Sequence, residues 1–298
     1  MAAMQIRPLH PLYAAEVTGI QVCEETVDDA TFAEIRAAFE QYSVLAFRGQ
    51  RLNEAGHIAF SRRFGPLETT VKGNPAAGSH FARQSNLDMA TGEVIPPEDK
   101  RLTYLKAARL WHTDSSFKPV PSLCSLLAGH IVPPAGGNTE YACCRAAYDD
   151  LPGATKTLID GLLAVHSQMH SLSLIDPSII NDEMRNEINP VDQPLVRVNP
   201  VNGRRAIYAG THAHRIIGRT PEDGLAFIRE LTMHATQPQY VYSHAWREGD
   251  LVMWDNRAVL HRATPYDSVK YKRLLQRTTV AGNEEEYQRE RSRFQEKR

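Results

Sequence analysis

Apolar and polar positions in the first part of the chain follow helical and strand-like patterns in turn. In residues 29–42 (DATFAEIRAAFEQY) the apolar side chains recur at helical spacing, which predicts an amphipathic helix. The apolar run Val44-Leu45-Ala46-Phe47 predicts a buried strand. Asn53 is a capping residue for a second helix that runs through Arg63 and ends at Gly65-Pro66. The pattern therefore predicts a helix, a strand and a helix in succession.

Short apolar runs bounded by turn residues dominate the rest of the chain. They read as strands at residues 125–132, 240–246, 251–254 and 273–280. The sequence Arg247-Glu248-Gly249-Asp250 between two of them predicts a hairpin over residues 240–254. Thr220-Pro221-Glu222-Asp223 is typical of a helix start. Many short strands with helices inserted between them predict a mainly β fold, either a sandwich or a jelly roll.

The composition argues against some classes of protein but does not indicate a function by itself. The 298 residues contain no internal repeat or low-complexity linker and carry a formal net charge of -1, which argues against a nucleic-acid surface. No apolar run is long enough to span a membrane, and the N-terminus lacks an apolar leader segment, so we expect a cytoplasmic protein. Residues 283–298 are rich in charge and predict a solvated helix or frayed tail. The four cysteines, which show no metal-binding spacing, are expected to be buried thiols: Cys23, Cys124, Cys143 and Cys144.

One pair of potential metal ligands stands out among the 12 histidines. His112 and Asp114 are two residues apart, so in an extended strand their side chains share a face. His261 could join them if the fold brings it back. Two histidines and one carboxylate form the facial triad of non-haem Fe(II) oxygenases, which leaves other positions on the metal open. A zinc hydrolase could use the same three ligands, and a non-catalytic cupin-like module could keep the barrel alone.

Further motifs carry a resemblance to a known family. They are Phe64-Gly65-Pro66-Leu67-Glu68, Trp111-His112-Thr113-Asp114-Ser115-Ser116-Phe117, Gly136-Gly137-Asn138-Thr139-Glu140, Arg145-Ala146-Ala147-Tyr148-Asp149 and Gly249-Asp250-Leu251-Val252-Met253-Trp254-Asp255-Asn256-Arg257. In this order they resemble the TauD/TfdA family of Fe(II)- and 2-oxoglutarate-dependent dioxygenases over nearly the full length. Within that family the chain is most similar to the 2,4-dichlorophenoxyacetate dioxygenase branch.

The resemblance implies a single domain over residues 1–298 with a double-stranded β-helix, the jelly roll of cupin-like proteins. It implies iron on His112, Asp114 and His261, with 2-oxoglutarate chelated to the iron and O2 as the second co-substrate. Arg273 would bind the far carboxylate of 2-oxoglutarate, because a guanidinium matches carboxylate geometry, and Thr139 would donate beside it. Arg277 would approach the near carboxylate or the substrate. One extra residue, placed in the turn between Tyr266 and Tyr271, keeps these two arginines in register.

The resemblance also implies the substrate side of the site. Lys72, Asn86 and His212 match positions near the family's substrate, and a loop at about residues 74–104 is a candidate lid. A helical insert is expected at about residues 145–235. The implied reaction oxidises a C–H bond of a small carboxylate such as a phenoxyacetate, while 2-oxoglutarate becomes succinate and CO2. An amino acid, a sulfonate or a sulfate ester is an alternative substrate, and a homo-oligomer stays open.

Overall fold

The computed structural model describes residues 4–22, 27–70 and 78–295. The strands are β1 (Gln5–Pro8), β2 (Ala15–Thr18), β3 (Val44–Phe47), β4 (Ala82–Ser85), β5 (Cys124–Ile131), β6 (Thr139–Cys143), β7 (Leu163–His166), β8 (Val191–Pro194), β9 (Val196–Val198), β10 (Arg205–Ile207), β11 (Ala213–Ile216), β12 (Val241–His244), β13 (Leu251–Asp255), β14 (Val259–Ala263) and β15 (Leu274–Val280). The helices are α1 (Asp29–Tyr42), α2 (Glu54–Arg62), α3 (Lys100–Ala107), α4 (Cys144–Asp149), α5 (Gly153–Ile159), α6 (Gln168–Ser173), α7 (Asp182–Glu187), α8 (Pro221–Ala235) and α9 (Glu284–Gln295). Single 3-10 turns lie at Pro177–Ile179 and Pro238–Tyr240.

A seven-stranded sheet with the order β1-β2-β3-β13-β5-β15-β4 forms one wall of the molecule. Its central strands β3, β13 and β5 are buried on both faces, as the alternation along β13 shows. Leu251 and Met253 pack with Phe39 of α1, whereas Val252 and Trp254 pack in a second cluster on the other face. Since successive side chains of a strand point to opposite faces, one sheet is buried between two cores.

A three-stranded sheet with the order β12-β6-β14 packs against the core that contains Val252 and Trp254. Side chains of the two sheets meet at Trp254 on β13, whose ring centroid lies 5.4 Å from that of Tyr141 on β6 and 4.7 Å from that of His261 on β14. The predicted hairpin over residues 240–254 is wrong, because β12 pairs with β6 while β13 pairs with β3 and β5. The short turn between them carries the chain from one sheet to the other.

The segment predicted as a helical insert, residues 145–235, is only partly helical. It contains most of α4 and all of α5 to α8, together with five short strands in two small sheets of order β11-β7-β8 and β10-β9. These strands have three or four residues each, which is too short to show an alternating pattern. The expected helical insert is therefore corrected to an insert of helices and short strands.

The predicted helix starts are confirmed by their caps. The side chains of Asp28, Asn53 and Thr220 accept hydrogen bonds from the first turns of α1, α2 and α8. The segment predicted as a loop at residues 74–104 instead contains β4, which pairs with β15 at the sheet edge, and the start of α3. Lys72 lies outside the described residues.

The charged C-terminal segment forms α9 and is docked rather than solvated. Tyr287 is only 2% exposed, and Glu290 forms a buried ion pair with Arg197. The prediction of a solvated tail is thus wrong for this part. Cys124, Cys143 and Cys144 are buried free thiols, as expected, whereas Cys23 lies outside the described residues. Within the described ranges, no helix is both long and apolar enough to cross a membrane.

Candidate active site

The backbone brings His112 and His261 together. The amide of His112 donates to the carbonyl of His261 at 3.1 Å, and the amide of His261 donates back at 2.8 Å. This antiparallel bridge places the two imidazole centroids 4.2 Å apart. Among residues 111–114 only His112 takes part in this bridge, so His112 and Asp114 do not share the face of one extended strand. Asp114 begins a turn, in which Ser115 has a φ of 54°.

That turn nevertheless brings the carboxylate to the same point as the imidazoles. One ligand atom from each of His112, Asp114 and His261 lies within 4.8 Å of the other two. The Nδ1 of His112 lies 2.7 Å from the carbonyl of Leu110, which leaves Nε2 as the ligating atom. Burial lowers the pKa of both histidines, so their imidazoles are neutral and able to bind a cation.

Asp114 is held ionised in a buried place. Burial by itself would raise its pKa, but the guanidinium of Arg277, together with the neighbouring imidazoles, brings it down to about 2. Arg277 donates to one carboxylate oxygen at 2.5 Å, and the Ser125 hydroxyl donates to the other at 2.6 Å. A permanently ionised carboxylate beside two neutral imidazoles suits a divalent metal such as Fe(II).

Ser125 and Asn256 support the triad and were missed by the sequence analysis. The amide Nδ2 of Asn256 donates to the Ser125 hydroxyl at 3.0 Å, and its Oδ1 accepts the backbone amide of Asp114 at 3.4 Å. Such outer contacts fix the orientation of a ligand. Two features of the sequence could have indicated these residues. Ser125 is a polar residue in an apolar strand, and Asn256 lies within the motif over residues 249–257.

A cavity beside the triad has the features required by 2-oxoglutarate. His112, His261, Thr139, Arg273 and Arg277 all line it. Arg273 is only 6% exposed, its Nε has no hydrogen-bond partner, and its remaining bonds go to backbone carbonyls at 3.3 and 3.4 Å. Burial lowers its pKa to about 10. A buried guanidinium without a carboxylate partner fits an anionic ligand.

Thr139 completes this end of the cavity. Its hydroxyl accepts a hydrogen bond from the indole of Trp246 at 3.0 Å, so its own hydrogen is free to donate. Arg273 precedes β15 and Arg277 lies four residues further on, which puts both on the same side of the strand. The structure thus brings together the three residues predicted to bind 2-oxoglutarate.

Asn86, predicted to lie near the substrate, makes its hydrogen bonds to the turn that precedes Arg273. It is fully buried, and its Nδ2 donates to the carbonyls of Ser268 and Tyr271 at 2.8 and 2.9 Å. Its Oδ1 accepts the backbone amide of Arg273 at 2.8 Å. These bonds use both amide hydrogens and occupy the carbonyl oxygen, so Asn86 holds the turn that leads into Arg273. Its contact with substrate stays a prediction.

Comparison with known proteins decides the identity of this site. Residues 5–279 match the model of the family described as taurine catabolism dioxygenase TauD, TfdA family. The chain belongs to the TauD/TfdA family. It is 39% identical over 279 residues to the alpha-ketoglutarate-dependent 2,4-dichlorophenoxyacetate dioxygenase of Burkholderia sp. (strain RASC), covering 92% of this chain and 93% of the relative. The corresponding protein of Cupriavidus pinatubonensis is 40% identical, with 92% and 96% coverage.

A solved structure agrees with this relationship. The crystal structure of AAD-2 in complex with Mn(II) and N-oxalylglycine superposes with a TM-score of 0.87 at 36% identity, covering 95% of this chain and 98% of that one. This TauD/TfdA protein is therefore an enzyme, a non-haem iron dioxygenase that uses Fe(II), 2-oxoglutarate and O2. The zinc hydrolase and the non-catalytic module are excluded as alternatives.

A second, outer cavity of this TauD/TfdA enzyme adjoins the first at Arg277, which lines both. Phe117 gives the outer cavity an aromatic wall. Glu68 and Lys118 face it as an ion pair at 2.7 Å, and the Ser115 hydroxyl donates to the same carboxylate at 2.7 Å. The turn that carries Asp114 thus also supplies side chains to the outer cavity.

His212 lies beside this turn. Its Nδ1 is 3.0 Å from the Ser116 hydroxyl, and its ring packs edge-on against Phe117 and His112, with centroids 5.0 and 6.0 Å away. Burial lowers its pKa to about 3, so it is a neutral side chain. These contacts place His212 next to the metal ligands and behind the wall of the outer cavity.

Proposed function

We propose that this enzyme oxidises the C–H bond beside the ether oxygen of a phenoxyacetate-like carboxylate. Hydroxylation there gives a hemiacetal, which falls apart into a phenol and glyoxylate, while 2-oxoglutarate becomes succinate and CO2. His112, Asp114 and His261 would hold the Fe(II), and Arg273 with Thr139 would hold the far carboxylate of 2-oxoglutarate. The bound iron supplies the oxidising chemistry, and the residues around it position the substrate and exclude water.

The observation that carries this proposal is the position of Arg277 between the two cavities. One of its terminal nitrogens donates to Asp114, whereas its Nε is buried and has no hydrogen-bond partner. A substrate carboxylate that binds Arg277 from the outer cavity is therefore held next to a metal ligand. The aromatic ring of such a substrate would lie against Phe117.

The charges of the two cavities support a monoanionic substrate. Three cations, Arg273, Arg277 and Lys118, stand against two carboxylates, Asp114 and Glu68, among the described residues of the site. The doubly charged metal and the doubly charged co-substrate offset each other, so one positive charge is left for the substrate. Glu68 is already bound by Lys118 and Ser115. This pairing disfavours an amino acid, whose ammonium group would need a free carboxylate.

The test is a substrate panel with 2,4-dichlorophenoxyacetate, taurine, an alkyl sulfate ester and an amino acid. Succinate and phenol are measured with Fe(II), 2-oxoglutarate and O2 present, and each is omitted in turn. We expect succinate and phenol in equal amounts from the phenoxyacetate and little coupled turnover of the others. Coupled oxidation of the sulfate ester or taurine with none of the phenoxyacetate would overturn the proposed substrate class.

The proposed function also implies a particular fold and domain organisation. We infer that the seven-stranded and three-stranded sheets are the two halves of a double-stranded β-helix, and that the whole chain acts as one dioxygenase domain. The contacts of Trp254 with Tyr141 and His261 between the sheets support the first inference, and the docking of α9 supports the second. Closure of residues 74–104 over the outer cavity stays a prediction, tested by limited proteolysis with and without substrate.

A further inference from the structure

Helix α9 lies beyond the residues 5–279 that match the family model, yet it is anchored in the core. Glu290 accepts two hydrogen bonds from Nε of Arg197, at 2.8 and 3.0 Å, and one from the amide of Val198 at 2.7 Å. One turn earlier, the buried hydroxyl of Tyr287 donates a short hydrogen bond to Oε1 of Gln193. The helix is thus tied by buried polar contacts to β8 and β9, which follow each other in the chain and lie in different sheets.

Gln193 passes this anchorage on to the turn at the active site. It is fully buried on β8, and its Nε2 donates to the carbonyls of Ser116 and Lys118, each at 2.9 Å. Both amide hydrogens are therefore used on the turn, while the amide oxygen receives Tyr287. Because a buried carbonyl oxygen without a donor is costly, the Tyr287 hydroxyl fixes which way the amide points.

The turn held in this way, residues 115–118, belongs to the substrate side of the site. It follows directly on the metal ligand Asp114. Phe117 and Lys118 line the outer cavity, and the Ser116 hydroxyl bonds Nδ1 of His212. A continuous chain of hydrogen bonds therefore leads from α9 through Tyr287 and Gln193 to the wall of the outer cavity.

We propose that Tyr287 and Gln193 are positioning residues, and that α9 sets substrate affinity by holding the 115–118 turn in place. The turn carries no group predicted to bind 2-oxoglutarate, so the co-substrate requirement should be independent of this chain of bonds. The claim about substrate affinity rests on the proposed function. The claim about the turn itself does not.

The test compares Tyr287→Phe with a matched control, Tyr240→Phe. Both tyrosines are 2% exposed and each donates its hydroxyl to one side chain, which for Tyr240 is Asp150. Hydrogen exchange measured by mass spectrometry on a peptide covering residues 115–118 reads the turn directly. Since one hydrogen bond is lost, we expect exchange there to be about three- to tenfold faster in Tyr287→Phe. The control should match wild type in that peptide.

Kinetics form the second arm. In Tyr287→Phe the KM for 2,4-dichlorophenoxyacetate and the succinate formed per phenol should each rise about threefold or more, while the half-saturating 2-oxoglutarate concentration stays the same. Gln193→Met, which removes both donors to the turn, should give the same pattern. Unchanged exchange of the turn in both variants, or equal changes in Tyr240→Phe, would overturn the proposal. If wild type fails to oxidise the phenoxyacetate, the proposed function fails, and the exchange arm still decides the role of α9.

Discussion

Arg273 gives the sharpest test of the co-substrate site, because its effects on stability and on binding should have opposite signs. Its guanidinium is 6% exposed and lacks a carboxylate partner. The perturbation is Arg273→Met, which keeps an unbranched apolar side chain of similar length and removes the charge. The matched control is Arg257→Met, since Arg257 is equally buried but forms ion pairs with Asp255 and Glu40.

The magnitude follows from the pKa of Arg273, which burial lowers to about 10. The ordinary pKa of arginine is near 12.5, and a difference of one pKa unit corresponds to 1.36 kcal/mol. Keeping the buried side chain charged at neutral pH therefore costs on the order of 3 kcal/mol. The cost is present in full below pH 10, where folded and unfolded chains are both protonated. The long bonds to backbone carbonyls and the contact with Tyr266 offset part of it.

We therefore expect Arg273→Met to be more stable than wild type in the absence of ligands, by up to about 2 kcal/mol in urea unfolding. Arg257→Met should lose about 3–5 kcal/mol, because it leaves buried carboxylates unpaired. With Mn(II) and 2-oxoglutarate at a hundred times its Kd, wild type should gain about 2.7 kcal/mol. The Arg273→Met variant should gain much less stability from these ligands. Its half-saturating 2-oxoglutarate concentration should be roughly ten- to hundredfold higher than that of wild type. If Arg273→Met is destabilised by more than about 2 kcal/mol, or has a normal half-saturating 2-oxoglutarate concentration, Arg273 is not an unpaired cation that binds the co-substrate.

Three further predictions concern single side chains. Thr139→Val should raise the half-saturating 2-oxoglutarate concentration by about ten- to hundredfold in steady-state assays, the effect of one hydrogen bond to a charged carboxylate, and an unchanged value would remove Thr139 from the site. His212→Gln should raise the substrate KM but leave substrate-independent 2-oxoglutarate decarboxylation largely intact; loss of both would mean that His212 supports the metal ligands themselves. Burial lowers the pKa of His57 to about 4, so between pH 6.5 and 4 the unfolded chain binds a proton that the folded chain does not. The free energy of unfolding should therefore decrease by on the order of 3 kcal/mol from this group as the pH is lowered from 6.5 to 4. Urea unfolding of His57→Gln at several pH values should show a weaker dependence of stability on pH.

Local signals in the sequence predicted the helices and strands well wherever a cap or a long apolar run was present. Asn53 and Thr220 marked the starts of α2 and α8, and the run at Val44–Phe47 became β3. Pairing between strands was harder. The strands at 241–244 and 251–255 are neighbours in sequence but lie in different sheets, since partner choice depends on contacts far away along the chain.

In the site, too, residue types could be predicted from local motifs, whereas contacts between distant segments could not. His112, Asp114 and His261 were identified from residue type and motif, although their convergence depends on a single backbone bridge that no spacing rule predicts. Asn86 was predicted to lie near the substrate, and the sequence did not indicate that its hydrogen bonds go to the turn before Arg273. The buried hydrogen bond from Tyr287 to Gln193 could not be predicted, because Tyr287 lies in a charge-rich terminal segment that resembles a solvated helix.

The central claim is that His112, Asp114 and His261 hold one Fe(II), to which 2-oxoglutarate then binds. Anaerobic titration of the protein with Fe(II) and 2-oxoglutarate tests it, because chelation of the keto acid gives a visible charge-transfer absorption. We expect wild type to develop this absorption with one iron per chain. Asp114→Ala should bind no stoichiometric iron and show no band, while its circular dichroism stays that of wild type. A band of wild-type intensity in Asp114→Ala, or none in wild type, would show that these three residues do not form the iron site.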